Sequence, residues 1–376
     1  MQYTVIDLET TVRNPTGFKA SPWCLDNKVV LVGWAHGRGP VQSAPSLSAA
    51  DVPEEAVLVG HNIKFDLHYL CRDSKWQGWL HKCQVWDTMI VDYLLSGQLN
   101  RYSSLDDCAA LVGGTLKDQR IAEYWEQGLD TTDIPIEQLT EYLHSDVSNT
   151  RRVFLNQLEQ VKLAGMLPLI WSNMAALVAT ITMERAGMFF DKDLAAEHVS
   201  ALSSEAEVIR LRVVDMLRSM LPEGIEINSN SRHQLSKALY GGMASVSQAK
   251  PILNEAGEEV RYKTGSREGQ VKTRLTTIDV PVTGCSEPPP GPVPANGIYS
   301  VNDEALRGVA AGDGRVLAND VLALRGLDKD INTYYIGYSN SVWPDGLIHH
   351  SLEFVNTATG RLNCVKPNLQ NVSGGD

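Results

Sequence analysis

The stretch Ile136–Leu163 constrains this chain most, because its apolar residues recur at helical spacing over 28 positions. Leu139, Tyr142, Leu143, Val147, Thr150, Val153, Phe154, Leu158 and Val161 fall three or four residues apart, which predicts one long amphipathic helix. A helix of that length must bury its stripe against a sheet or other helices. The same stripe carries Asp146, one turn after Tyr142, so the spacing directs an acid inward. A carboxylate directed into a core needs a cation or hydrogen-bond donors; the other reading leaves Asp146 facing solvent, with Tyr142 bonded to backbone.

The segments before this helix read as strands followed by helices. Gln2–Asp7, Lys28–His36 and Ala56–Val59 have strand character, and Lys64–Cys71, Trp86–Leu95 and Ser104–Leu111 have helical character. Ser103 or Ser104, with Asp106 and Asp107 after it, suits a helix start. That order within about 160 residues predicts a mixed α/β domain. A boundary is expected near Gly165–Pro168, giving a first domain over 1–165 and a helical region over 166–340, with 341–376 beyond it. Within the helical region, 169–185, 194–221, 232–239, 302–311 and 316–335 are the expected helices. Residues 241–297, rich in Gly, Pro and polar residues, read as an irregular insertion or a β-ribbon.

Composition narrows the setting. Hydrophobic residues make up 43% and charged residues 21%, as in ordinary soluble globular proteins, and no run of 18 apolar residues marks a membrane span. The N-terminus lacks the pattern of a signal peptide. Six scattered cysteines without CxxC spacing suggest reduced thiols, no zinc site and a cytoplasmic setting. A net charge of −12 argues against coating duplex DNA with the whole surface, yet leaves room for acidic metal sites and local basic patches.

Four acids stand at positions suited to metal chemistry. Asp7 and Glu9, two apart on a strand, project from one face and can share a divalent cation; an exposed acidic strand end would look the same. Asp66 follows His61-Asn62-Ile63-Lys64-Phe65 at a strand–helix junction, where a first-turn acid is also favoured by the helix dipole. Together, Asp-x-Glu, Asn-x-x-x-Asp and Tyr-x-x-x-Asp resemble the three exonuclease motifs of the DEDD superfamily, in its tyrosine-bearing DEDDy branch. Asp87-Thr88-Met89 and Ser104-Leu105 extend the resemblance over roughly residues 3–160.

The resemblance implies an RNase H-like mixed-sheet domain that removes nucleotides from 3′ ends. It implies two Mg²⁺ ions, with Mn²⁺ as a substitute, clamping the scissile phosphate. Asp7 would bridge them, Glu9 and Asp146 would complete one site, and Asp66 would serve the other through water. Tyr142 would orient the nucleophilic water. Thr10 and Asn62 match positions that hold the terminal nucleotide, and Lys64 reads as a phosphate contact or a surface lysine.

The second half resembles family A DNA polymerases. Thr359-Gly360-Arg361-Leu362-Asn363-Cys364 followed by Pro367-Asn368-Leu369-Gln370-Asn371-Val372 is similar to that family's TGRLSS…PNLQNIP signature, with Asn363-Cys364 replacing two serines. Met183–Met188, Asn228–Leu239, Tyr299–Asn302 and Arg325–Lys329 are similar to its thumb segments. This implies a mainly helical thumb and the start of a palm, with Arg361, Asn368 and Gln370 meeting a primer–template duplex. Substrates would be a single-stranded DNA 3′ end and that duplex, and the activity would be proofreading.

The family's palm and fingers motifs are not found within residues 1–376. The expectation is therefore a second polypeptide carrying them, as in a split, phage-type polymerase acting in the host cytoplasm, or else an expressed fragment. Lys250, Arg261, Lys263, Arg267, Lys272 and Arg274 in 241–297 would track phosphates or recruit a processivity factor. The competing readings are a stand-alone DEDDy ribonuclease and an inactive subunit that only binds DNA or a partner.

Overall fold

In the computed structural model, residues 1–12, 20–115, 119–264 and 267–372 are described. Two compact units emerge: residues Met1–Phe190 together with the segment from Asn340 onward, and Asp191–Ser339.

The first unit is built on a sheet of β1 (Tyr3–Thr10), β2 (Val29–His36), β3 (Gln42–Ala44), β4 (Val57–Gly60) and β5 (Val85–Asp87), in spatial order β3-β2-β1-β4-β5. β1 runs antiparallel to β2 and parallel to β4, and β4 runs parallel to β5. The sheet is mixed, and the expected α/β class holds. Val5 and Ile6 point to opposite faces and both are fully buried, so the sheet is covered on both sides.

Around it lie α1 (Ile63–Leu70), α2 (Ser74–Leu80), α3 (Thr88–Leu95), α4 (Leu105–Ala110), α5 (Gln119–Glu126), α6 (Ile136–Leu163) and α7 (Leu167–Ala186), the last leading into β6 (Met188–Phe189). α6 has the bounds its periodicity predicts and packs on β1, β2 and β4. Ser104 caps α4 through a reciprocal capping box with Asp107. Trp86–Leu95, expected as one helix, instead divides at Asp87. Val85 and Trp86 extend the sheet beside β4, and Asp87 caps α3 through the amides of Met89 and Ile90. β3, α2 and α5 are further elements that the periodicity did not reveal.

Among the described residues, α7 alone is long and apolar enough to cross a membrane by length and composition. Its Ile170, Met174, Leu177 and Ile181 are buried in the first unit's core.

The second unit contains α8 (Lys192–Met220), α9 (Arg232–Tyr240), the hairpin β7 (Gly242–Pro251) and β8 (Thr273–Val282), α10 (Asp303–Arg307) and α11 (Asp313–Lys329). α8 packs on α11 and on the π-helical turn Asp330–Ile336 that follows it, around Val213, Leu217, Leu317, Val321 and Leu324. Ser231 caps α9, the helix expected over 232–239, by accepting from the Gln234 amide. The stretch 241–297 takes the ribbon form over ten paired residues per strand.

The chain then returns to the first unit as β9 (Leu347–Ile348), β10 (Ser351–Glu353) and β11 (Asn363–Val365). β6 pairs with β9, and β10 with β11. The segments expected over 166–340 and 341–376 are thus divided differently among the compact units. α7 contacts α1, β5 and β10, which draws both it and the segment from Asn340 into the first unit.

Candidate metal centre

β1 delivers Asp7 half-buried and Glu9 buried, and α6 delivers Asp146 and Tyr142, both buried. α6 can come close because Gly33, paired with Asp7 across β1 and β2, has no side chain. A Cβ there would lie 2.7 Å from Leu143 Cγ and 3.0 Å from Val147 Cγ2. Asp7, Glu9 and Asp146 consequently converge, with one carboxylate oxygen from each within 4.8 Å of the others. Three hard oxygen donors at that separation fit a divalent cation such as Mg²⁺.

Asp66 lies outside that trio, in the first turn of α1, and is buried. Burial, followed by the charge of Asp7 and then those of Asp87 and Glu9, pushes its carboxyl well above the usual range. Four acids gathered in one buried region are mutually repulsive, and nearby cations would reverse that balance. The residue set therefore fits a divalent-metal centre.

The turn ahead of Asp66 is rigidly tied. Asn62 adopts left-handed backbone (φ 55°), which asparagine tolerates, and its amide donates to Asp87 Oδ1 at 3.1 Å. The same oxygen accepts from Met89 (2.9 Å) and Ile90 (3.4 Å), and burial pushes the Asp87 carboxyl up to about 6. His61 bridges Thr88 Oγ1 (2.8 Å) and the Ser103 carbonyl (2.9 Å). With its backbone held, Asn62 turns an exposed side chain outward.

On the other flank, Thr10 sits at a bulge ending β1 and its carbonyl accepts the Thr131 hydroxyl at 2.7 Å. Trp125 donates from Nε1 to Thr131 Oγ1 (3.2 Å) and sets its ring edge-on to Tyr142 at 6.3 Å. Trp125 and Thr131 support the site, although sequence reasoning missed them. The usable signal was Asp130-Thr131-Thr132-Asp133, a capping-box spacing that the structure forms.

Lys64 requires a correction. Its ammonium donates to Glu184 Oε1 at 2.8 Å and to the Leu352 carbonyl at 2.7 Å, so it is a cation bound within the fold rather than the phosphate contact or surface lysine expected. Arg361, Asn368 and Gln370 lie on a separate stretch of this unit and are exposed. The Gln370 amide bonds back to the Cys364 amide and the Leu362 carbonyl, closing the loop between them. Cys364 is buried, accepts from the Leu369 amide at 3.4 Å and faces the Pro367 carbonyl, so a thiol supplies local bonding at the second serine position of the resembled signature. Gly360 has φ 70°, and a Cβ on it would meet Gln98 Nε2 at 2.7 Å, which seats this turn against the 93–102 region. All six cysteines are free.

Comparison with known proteins agrees with both halves. The 3′-5′ exonuclease family matches residues 52–162, and DNA polymerase family A matches residues 288–375. DNA polymerase I of Treponema pallidum (strain Nichols) is 24% identical over 320 residues, 85% of this chain and 26% of its own length. DNA polymerase I of Chloroflexus aurantiacus is 27% identical over 165 residues, 44% of this chain and 16% of its own. The chain thus spans about a quarter or less of the curated relatives it matches. The fold resembles the POL domain of Pol1 from M. smegmatis, solved in complex with DNA primer-template and dNTP. That match has a TM-score of 0.63 at 17% identity, covering 99% of this chain and 52% of that one. In sequence and fold, the chain is similar to family A DNA polymerases, with a 3′-5′ exonuclease match in its first half and a polymerase match in its last quarter.

Proposed function

We propose that this chain is a metal-dependent 3′→5′ exonuclease that edits DNA 3′ ends, with Asp7, Glu9, Asp66 and Asp146 holding two Mg²⁺ ions. The observation that carries the reading is the convergence of Asp7, Glu9 and Asp146 from two distant segments onto one point. Bound there, divalent cations supply charge for the scissile phosphate and lower the pKa of coordinated water.

The chain's own groups do the rest. Tyr142, whose phenol class ionises near pH 10, acts as a hydrogen-bonding group that orients water and not as a base. Thr10 and Asn62, on either flank of the carboxylates, hold the terminal nucleotide. Arg361, Asn368 and Gln370 meet the duplex behind it, a sequence-independent contact suited to an editing enzyme. Nucleotide addition would fall to palm and fingers regions working with this chain, in the split-subunit reading as a second polypeptide.

The β7–β8 ribbon adds a nucleic-acid or processivity-factor contact. Lys250 and Arg274 are directly opposed in its register, a like-charge pair that an anion would relieve. Lys272 and Arg267 gather over the Tyr262 ring nearby.

The test is incubation of the full chain with Mg²⁺ and 5′-labelled single-stranded DNA or RNA. A ladder shortening from the 3′ end, preferring DNA and lost in Asp7→Ala/Asp66→Ala, is expected. Preference for RNA would favour the ribonuclease reading, and intact substrates in both Mg²⁺ and Mn²⁺ would overturn catalysis.

A further inference from the structure

Helix α1 carries more than Asp66. Lys64 and His68 are one turn apart and share a face, while Asp66, two residues from each, projects from the other side. What holds that second face is Glu184, near the end of α7. Its Oε1 accepts from Lys64 Nζ at 2.8 Å and from the Leu352 amide of β10 at 2.6 Å, and its Oε2 accepts from His68 Nε2 at 2.7 Å. Arg185 donates to the His68 carbonyl at 3.0 Å, and His349 bonds the Glu184 carbonyl at 2.7 Å. Trp23 stacks on His349 and sets its edge against His68.

α1 does not need this arrangement merely to pack. Ile63 and Leu67 already anchor it and are fully buried. A buried ion pair contributes little net stability over an apolar substitute, but it accepts only one geometry. Glu184 is only 2% exposed and reads three donors from two elements, so it fixes how α1 is rotated and how deep it sits.

We propose that Glu184 is a positioning residue for the exonuclease reaction, clamping the face of α1 opposite Asp66 so that Asp66 meets the Asp7–Glu9 carboxylates correctly. Because one of its ligands is the β10 backbone, the clamp also ties Asp66 to the strand that leads toward Arg361. The inference rests on the metal-centre reading of Asp66, and partners of this kind around a ligand carboxylate typically change metal affinity or activity by about 10–100-fold.

The experiment uses the full chain and counts bound Mn²⁺ by calorimetric or EPR titration, alongside single-turnover cleavage of single-stranded DNA. Asp66→Ala defines which Mn²⁺ ion depends on Asp66. Glu184→Ala is expected to weaken that ion by about tenfold or more with unchanged DNA affinity. Glu184→Gln, which keeps the shape and acceptors for His68 or Leu352, is expected to fall between and decides the matter if the alanine variant does not fold. Wild-type Mn²⁺ affinity and cleavage rate in folded Glu184 variants would overturn the positioning role, leaving Glu184 a fold-holding ion pair. Wild-type protein that binds Mn²⁺ without cutting DNA would instead remove the exonuclease reading, and Glu184 would stand or fall on Mn²⁺ binding alone. An Asp66→Ala titration identical to wild type would refute both.

Discussion

Gly33→Ala puts the geometry of the candidate metal centre under direct strain. The added methyl would sit 2.7 Å from Leu143 Cγ, 3.0 Å from Val147 Cγ2 and 3.1 Å from Leu143 Cδ1. Leu143 Cγ is the branch point of a fully buried side chain, not a flexible tip, so α6 must move away from β2. Overpacking of this kind costs about 1–3 kcal/mol. Removing a glycine from a strand returns roughly 0.5–1 kcal/mol, because glycine loses more freedom on folding. Clash outweighs entropy across nearly all of that range, and a net loss of up to about 2.5 kcal/mol, centred near 1, is expected.

All eight tryptophans lie in the first unit and none lies in 191–339, so tryptophan fluorescence in a denaturant series reads the affected unit. Leu143→Ala separately opens a cavity costing about 2–5 kcal/mol. Combined with Gly33→Ala it gives the new methyl room, and the pair should be less destabilising than the sum of the singles by roughly 0.5–3 kcal/mol. Asp146, one turn from Leu143 on the same helix, would shift with it, so Mn²⁺ affinity should fall in Gly33→Ala and partly recover in the double variant. A Gly33→Ala protein as stable as wild type, or strictly additive losses, would refute the claim that a missing side chain sets the distance between α6 and β1.

Four further outcomes follow from the geometry. Asp87 is held above its ordinary value, to about 6, so its contribution to folding is fully present below pH 4 and is lost as pH rises through 6; the stability advantage of wild type over Asp87→Asn in metal-free denaturant curves should shrink across that window. Mg²⁺ should raise the stability of the first unit by about 2.7 kcal/mol at 100 times its Kd, an increment absent from Asp7→Ala/Asp66→Ala. Tyr142→Phe should slow single-turnover cleavage about 10–100-fold while leaving Mn²⁺ affinity unchanged, since only an orienting hydroxyl is removed. Arg361→Ala should weaken primer–template binding and lower its salt slope by about one, with cleavage of single strands preserved.

The legible parts of this fold are those in which one element's own sequence decides its surroundings. α6 has its predicted bounds because a stripe over 28 residues leaves no other helix to draw. β5 was obscured because Val85–Leu95 is mostly apolar at spacings that also suit a helix, and only the parallel partner β4, some 25 residues earlier, makes its first three residues a strand. β1 likewise lacks clean alternation because it is central and covered on both faces, which a single-strand pattern cannot announce.

The candidate site divides along the same line. Asp7, Glu9, Asp66, Tyr142 and Asp146 could be named because their three segments together resemble a family's motifs, although the convergence of Asp7, Glu9 and Asp146 depends on the sheet and on Gly33. Lys64 could not be read correctly from its neighbours. An exposed lysine beside a turn and a half-buried lysine held in an ion pair have the same local sequence. Its partners lie 120 residues away at Glu184 and 288 away at Leu352. The same distance hid Glu184, which reads locally as one more acid near the end of a helix. Its role depends on α7 and β10 meeting α1, an arrangement in which the strand leading toward Arg361 and the helix bearing Asp66 hold the same carboxylate. Loss of that carboxylate should therefore register at Asp66, whose motif Glu184 reaches through Lys64.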